Sequence, residues 1–249
     1  MAQSGKGRIE IFEDFVGAEV PVALTATTDR LGELRIIGDG LDESDSGVIN
    51  LESDGLNGVG HFIATDEDKH ACGFTTSLMF DAALMGTIIA EARVLFVDLA
   101  TKDFFFGLSD VNSDDISLED DVLSGATTTI TYTASDLCGF YLCSELTDDE
   151  DWHMVYVGGT TTGETTSTAI DADDDAVAGE FQILRLEVDP NGTARWYIDG
   201  VLKQTVAGAV STSTDMAIIG VVGNKANTST TEDFKCDYVL MKANRDWTV

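Results

Sequence analysis

The sequence predicts an all-β fold, a sandwich of two antiparallel sheets, and three observations predict it. Short segments alternate apolar and polar residues with the period of two that a half-buried strand requires. Turn residues separate these segments throughout, with 24 glycines and only two prolines in 249 residues. Helical periodicity is nearly absent. A hydrophobic content of 43% is enough for one large core, and sandwiches of this length often form a single unit.

The strands follow in order. Arg8–Phe15 (RIEIFEDF) sets Ile9 and Ile11 against Glu10. Leu34–Ile37, Val48–Leu51 and Gly60–Ala64 come next. Ser77–Met85 is the best helix candidate, short and without a cap. In Ile88–Asp98, Ile88, Ala90, Ala92, Val94 and Phe96 share one face, and Glu91 and Arg93 share the other as a candidate ion pair. Asp103–Leu108, Thr127–Thr133, Cys138–Ser144 and His153–Val157 continue the series. Phe181–Val188 points Leu184, Leu186 and Val188 one way. Asp189–Gly192 (DPNG) is a turn, because proline fixes one dihedral and Asn-Gly tolerates positive φ. Thr193–Ile198 returns with Trp196 and Ile198 on one face, and Asp199-Gly200 turns the chain into Val201–Val206. Met216–Val222 and Phe234–Lys242 complete the set. Acidic loops are expected at Asp39–Ser46, Asp110–Asp121, Thr147–Asp151 and Asp171–Asp175. No linker or shift in composition divides the chain, so an N-terminal arm, residues 1–8, and one domain, residues 9–249, are expected.

The formal charge is −31, from 45 acidic and 14 basic side chains. Binding to phosphates requires lysine and arginine to displace counterions, so nucleic acid and anionic membranes are excluded as direct partners. The charge itself has three readings: a solvating surface, adaptation to high salt, or calcium binding. The N-terminal MAQSGKGRIEIF has no apolar run, so no signal peptide is expected and synthesis in a cytoplasm is. The four cysteines, Cys72, Cys138, Cys143 and Cys236, form no CxxC pair. Cys138 and Cys143 fall on opposite faces of one strand and cannot easily bridge there, so buried free thiols are expected.

The run FQILRLEVDPNGTARWYIDGVLKQTV resembles the late hairpins of concanavalin A-like, jelly-roll lectin and glucanase domains. The ending MAIIGVVGNKANTSTTEDFKCDYVLMKANRDW resembles the close of the same domains, whose last strand pairs with the first, here IEIFEDF. The segments VLFVDLATKDFFFGLSD and GFYLCSELTDDEDWHMVYVGG are similar to segments of tailed-bacteriophage structural proteins with this fold. The resemblance spans roughly residues 8–245. It implies a concanavalin A-like sandwich and, through the phage segments, a virion structural protein. A capsid decoration protein is expected, bound in many copies to the major capsid protein as a homo-oligomer on the virion surface. The alternative is a carbohydrate-binding host-attachment protein of a tail or fibre.

Glucanases of this fold carry an E-x-D-x-x-E or E-x-D-x-E run that turns alternate carboxylates into the cleft as nucleophile and general acid. The comparable stretch here, Glu187-Val188-Asp189-Pro190-Asn191-Gly192, lacks the third acid, and a proline stands in it. Glu187 reads as a solvent-facing strand residue and Asp189 as a turn former, so no catalytic residue and no enzyme are expected. His61, His70 and His153 do not sit at zinc-ligand spacing. For calcium, Asp171, Asp173, Asp174 and Asp175 have the required density of oxygen ligands without the EF-hand order. The competing reading is a solvated loop. Asp42, Glu43 and Asp45 form a weaker cluster. Trp152 either lies under a sugar ring, as in a lectin, or packs partly buried at the sandwich rim.

Overall fold

The computed structural model describes residues 7–16, 30–39, 49–51, 58–77, 79–224 and 231–245. Its strands are β1 Arg8–Glu13, β2 Arg30–Leu31, β3 Leu34–Ile37, β4 Ile49–Leu51, β5 Gly60–Ile63 and β6 Ala71–Thr75. They continue with β7 Ile88–Leu95, β8 Asp103–Ser109, β9 Leu123–Ala126, β10 Thr129–Tyr132, β11 Leu137–Cys143 and β12 Asp151–Val157. The last six are β13 Asp171–Asp175, β14 Gln182–Val188, β15 Ala194–Ile198, β16 Val201–Val206, β17 Ala217–Gly223 and β18 Asp233–Asn244.

Two eight-stranded sheets result. Sheet A runs β16-β15-β14-β7-β18-β5-β4, with β1 also paired to β18. Sheet B runs β13-β12-β11-β8-β17-β6-β3-β2, and β9 and β10 form a separate hairpin. All these strand pairings are antiparallel. The first and last strands do pair, from Arg8 against Asn244 to Glu13 against Val239. Arg8 therefore belongs to β1 and not to an arm; residues 1–6, with Lys6, lie outside the described residues.

The alternation read from sequence fixes which side chains enter the core. In sheet A, β7 and β14 bury every second residue, so Ala92, Val94, Leu184 and Leu186 face inward. The two sheets meet on an aromatic core. Phe62 stacks on Phe234 at 4.7 Å between centroids, and Phe104 lies 5.0 Å from Phe234. Two indoles tie the sheets in opposite directions. Trp196 of sheet A donates its Nε1–H to the Gly139 carbonyl of sheet B at 2.8 Å. Trp152 of sheet B donates to Gln182 Oε1 of sheet A at 3.0 Å. Trp152 is fully buried among Phe96, Phe104 and Phe140, which removes both the rim position and the sugar platform expected for it. The four cysteines are free and buried.

Three further expectations change. Among the described residues of Ser77–Met85 no helix forms: Phe80 bridges to Met216, and the Asp81 carboxylate accepts the Leu84 N–H to close a turn. Glu91 and Arg93 do not pair with each other. They point the same way along β7, but Arg185 draws Glu91 and Asp237 draws Arg93, each from a neighbouring strand. The third change is Asp171–Asp175, which is an edge strand rather than a loop. The Asp199-Gly200 turn behaves as expected, with both residues at positive φ (48° and 78°) joining β15 to β16.

Replacing Trp196 by Ala should cost about 3–5 kcal/mol, because it leaves a cavity and an unpaired carbonyl. Guanidinium denaturation followed by circular dichroism measures this; a loss under about 1 kcal/mol, the ordinary surface range, would contradict the cross-sheet role of the indole.

Candidate functional site

Each sheet has one face turned away from the shared core, and the two outer faces differ. On sheet B, strands β6, β8, β11 and β17 are buried along their whole length, so both faces are covered. The cover comes from the segment between β8 and β11. Ser117 caps a five-residue π-type turn, Leu118–Val122, by accepting the Asp120 N–H, and the Asp121 carboxylate accepts the Ser117 N–H at 2.8 Å. Leu118 and Val122 are buried, as are Ile116, Leu123 and Ile130 around them. Two glycines mark the close approach. A Cβ on Gly125 of β9 would lie 2.8 Å from Cys143 Sγ, and one on Gly223 of β17 would lie 3.0 Å from Leu118 Cβ. Cys143 and Gly223 both stand in register with Asp103, so the cover crosses the three central strands β11, β8 and β17 at the Asp103 end of β8. An Asp110–Asp121 acidic loop was expected; its acids flank an apolar plug. Beneath lie Phe105, Tyr141 and Val155, fully buried. Burial, with Asp103 and Cys143 alongside, holds the Tyr141 phenol well above its ordinary pKa.

At the edge of this face stand the calcium candidates. In β13, Asp171 is in register with His153 and Asp175 with Asp151, and a bulge separates the two pairings. Asp173 takes the bulged position at φ 50°, its N–H bound by Asp171 Oδ1 at 2.7 Å. Asp174 leaves the group and pairs with Lys203 of β16 at 2.6 Å. The strand thus sends Asp171, Asp174 and Asp175 to different partners: the Asp173 N–H, Lys203 and Asp151. Among the described residues no three His, Cys, Asp or Glu side chains converge as a metal group; Asp42, Glu43 and Asp45 lie outside them. What remains is a crowd of carboxylates. Partial burial, a hydrogen bond with Asp175, and the charges of Asp171, Asp175 and Asp148 push Asp151 up to about 7. His153 is fully buried, its ring nitrogens unbonded, and burial lowers its pKa so that it stays neutral.

Among the described residues, nothing covers the outer face of sheet A. There Glu187 accepts from Arg185 at 2.6 Å and from Arg195 at 3.3 Å, and Arg195 also grips Asp189 at 2.5 Å. Arg195 and Thr87 hold the Asp189 carboxyl below its usual range. Glu187 is therefore a half-buried member of an ion network, not simply solvent-facing, and Asp189 both closes the turn and anchors Arg195. A general acid needs the opposite shift. Tyr238 donates to Glu91 at 2.9 Å, and Phe12, 56% exposed, lies 5.9 Å from the Tyr238 ring. Sequence reading missed this face, although the alternating pattern in FQILRLEV and TARWYI contains it.

No protein-family profile and no curated protein matches the chain. Solved structures do. A protein of unknown function from Shewanella oneidensis MR-1 aligns with TM-score 0.57 at 13% identity, over 98% of this chain and 90% of that one. The metal-free Emp46p carbohydrate recognition domain aligns at 0.53 and 13%, over 93% and 97%. A family 16 endo-glucanase from Bacteroides ovatus aligns at 0.56 and 10%, over 93% and 99%. The fold is concanavalin A-like. At these identities the likeness extends to the fold alone, and concanavalin A-like structures here include lectins and glycoside hydrolases alike. The Emp46p domain is known metal-free and with potassium.

The acidic edge makes a signed prediction. Asp151 takes up its proton more readily in the folded chain, so the native state loses stability as pH rises from 3.8 to about 7. Asp151→Asn should stabilise the protein at pH 8 by roughly 1 kcal/mol after solvent screening, and change little at pH 4. Thermal melts at both pH values test this; an equal effect at both would refute the carboxylate crowding.

Proposed function

We propose that this chain is a non-enzymatic virion structural protein, a capsid decoration protein of a tailed phage that binds the major capsid protein in many copies. The observation that carries the non-enzymatic part is the filled outer face of sheet B. A retaining glycosidase needs two carboxyl groups about 5–5.5 Å apart, open to a sugar and to water. Here that face carries Phe105, Tyr141 and Val155, all fully buried, and an apolar plug closes over Cys143 and Gly223 beside them. On the other face, Glu187 and Asp189 are engaged by arginines, and Arg195 holds the Asp189 carboxyl below its usual range. The phage setting rests on the segments VLFVDLATKDFFFGLSD and GFYLCSELTDDEDWHMVYVGG, which resemble phage structural proteins. An acidic exterior suits such a coat, since like-charged particles stay dispersed.

One observation favours the second reading, a carbohydrate-binding attachment protein. Phe12 and Tyr238 form an aromatic pair on the open face of sheet A, and flat aromatic surfaces bind sugar rings by stacking.

The purified protein should co-sediment with undecorated capsids and saturate at a copy number set by the shell lattice, while Glu187→Gln changes neither binding nor any glycan turnover. Density at the tail tip alone, at low copy number, would replace decoration by attachment. Glycan hydrolysis abolished by Glu187→Gln would refute the non-enzymatic reading.

A further inference from the structure

Charge is distributed very unevenly over this fold. The outer face of sheet A and its rim gather six cationic residues, Arg8, Arg93, Arg185, Arg195, Lys235 and Lys242. Six acids stand among them: Glu10, Glu91, Glu187, Asp189, Asp233 and Asp237. They cancel, so the whole formal charge of −31 belongs to the rest of the chain. Two molecules of this protein meet without net repulsion on this face, and repulsion between exposed charges reaches about 8–10 Å at physiological salt. The face is also rich in arginine and tyrosine, the residues that dominate the energy of protein interfaces.

The registers make the face self-complementary. Across β1, β18, β7, β14 and β15, one outward row reads Phe12, Leu240, Glu91, Arg185, Tyr197. The next row reads Glu10, Lys242, Ile89, Glu187, Arg195. We propose that a second copy of this chain docks here, related by a two-fold axis that crosses the strands between the two rows. Each row then lies on the other. Arg185 meets Glu187 of the second copy, and Tyr197 meets Arg195, a cation over an aromatic ring. Glu91 meets Ile89, Leu240 meets the stem of Lys242, and Phe12 meets Glu10. No like charges face each other. An axis along β7 instead would set Glu91 on Glu91. With strands about 4.8 Å apart and about 20 Å long, the two faces together offer roughly 1,000 Å² before side-chain relief, the threshold for a specific interface. The inference is independent of the decoration reading, because it concerns this chain alone in solution.

Charge swapping tests it. Arg185→Glu makes positions 185 and 187 both acidic, and Glu187→Arg makes both basic. Each variant should dissociate roughly a hundredfold more readily than the parent. Their equimolar mixture should regain a dimer of twice 26.6 kDa, because acidic and basic pairs then face each other at both two-fold-related contacts. Sedimentation velocity reads the masses, and far-UV circular dichroism verifies that each variant is folded. The parent at 26.6 kDa at every concentration overturns the inference. So does a parent dimer that survives both substitutions, or a mixture that stays monomeric. If a variant does not fold, the mass of the parent and of Phe12→Glu, which sets an acid on Glu10 of the second copy at an exposed position, decides in its place: the parent dimeric and Phe12→Glu monomeric supports it, and any other pairing overturns it.

Discussion

The constraint on which the rest of this structure depends is the burial of sheet B on both sides. One side meets sheet A through Trp152, Trp196 and the phenylalanine cluster. The other lies under Leu118, Val122 and the β9–β10 hairpin. A strand buried on both faces needs apolar side chains at successive positions, and it admits no water. This explains the runs FFF in β8, CGFYLC in β11 and AIIGVVG in β17. Among the described residues it leaves the side chains of the central strands of that sheet out of contact with solvent.

Charge follows the same division. Sheet A keeps the alternation of a half-buried sheet, and its outward positions carry an ion network: Arg185 with Glu91 and Glu187, and Arg195 with Glu187 and Asp189. Exposed pairs of this kind contribute little to stability one at a time. Their consequence is neutrality over a broad surface in a strongly acidic protein. Buried charge is handled differently: Lys102 is 1% exposed and is held by Glu232 at 2.9 Å and Asp233 at 3.1 Å where β18 begins. A buried ammonium needs such partners, since an unpaired one costs several kcal/mol.

Much of the fold was legible in the sequence because the half-buried strands of sheet A write their geometry as alternation. β7, β14 and β15 were read with the correct inward residues, and the pairing of the first strand with the last followed from resemblance. What was not legible has physical causes. β6 (ACGFT) was missed because burial on both faces removes alternation. β13 (DADDD) was read as a loop because an edge strand tolerates carboxylates, which block further pairing. The plug was hidden because Ile116, Leu118 and Val122 are interleaved with six acids from Asp110 to Asp121. The candidate site was least legible of all, since the rows on sheet A draw on strands from both ends and the middle of the sequence and exist only once the register is set.

Cys138 and Cys143 lie on one strand, β11, with their side chains on opposite faces: Cys138 toward the core, Cys143 beneath Gly125. They give the most direct measurement of the covered face. Alkylation of the native protein, resolved by peptide mass spectrometry, reads the exposure of each face separately. If the plug closes the outer face, Cys143 reacts as slowly as Cys138, and both rates rise together with denaturant as global unfolding exposes them. Cys143 reacting orders of magnitude faster than Cys138 under native conditions would mean an open groove on sheet B, and would contradict the account.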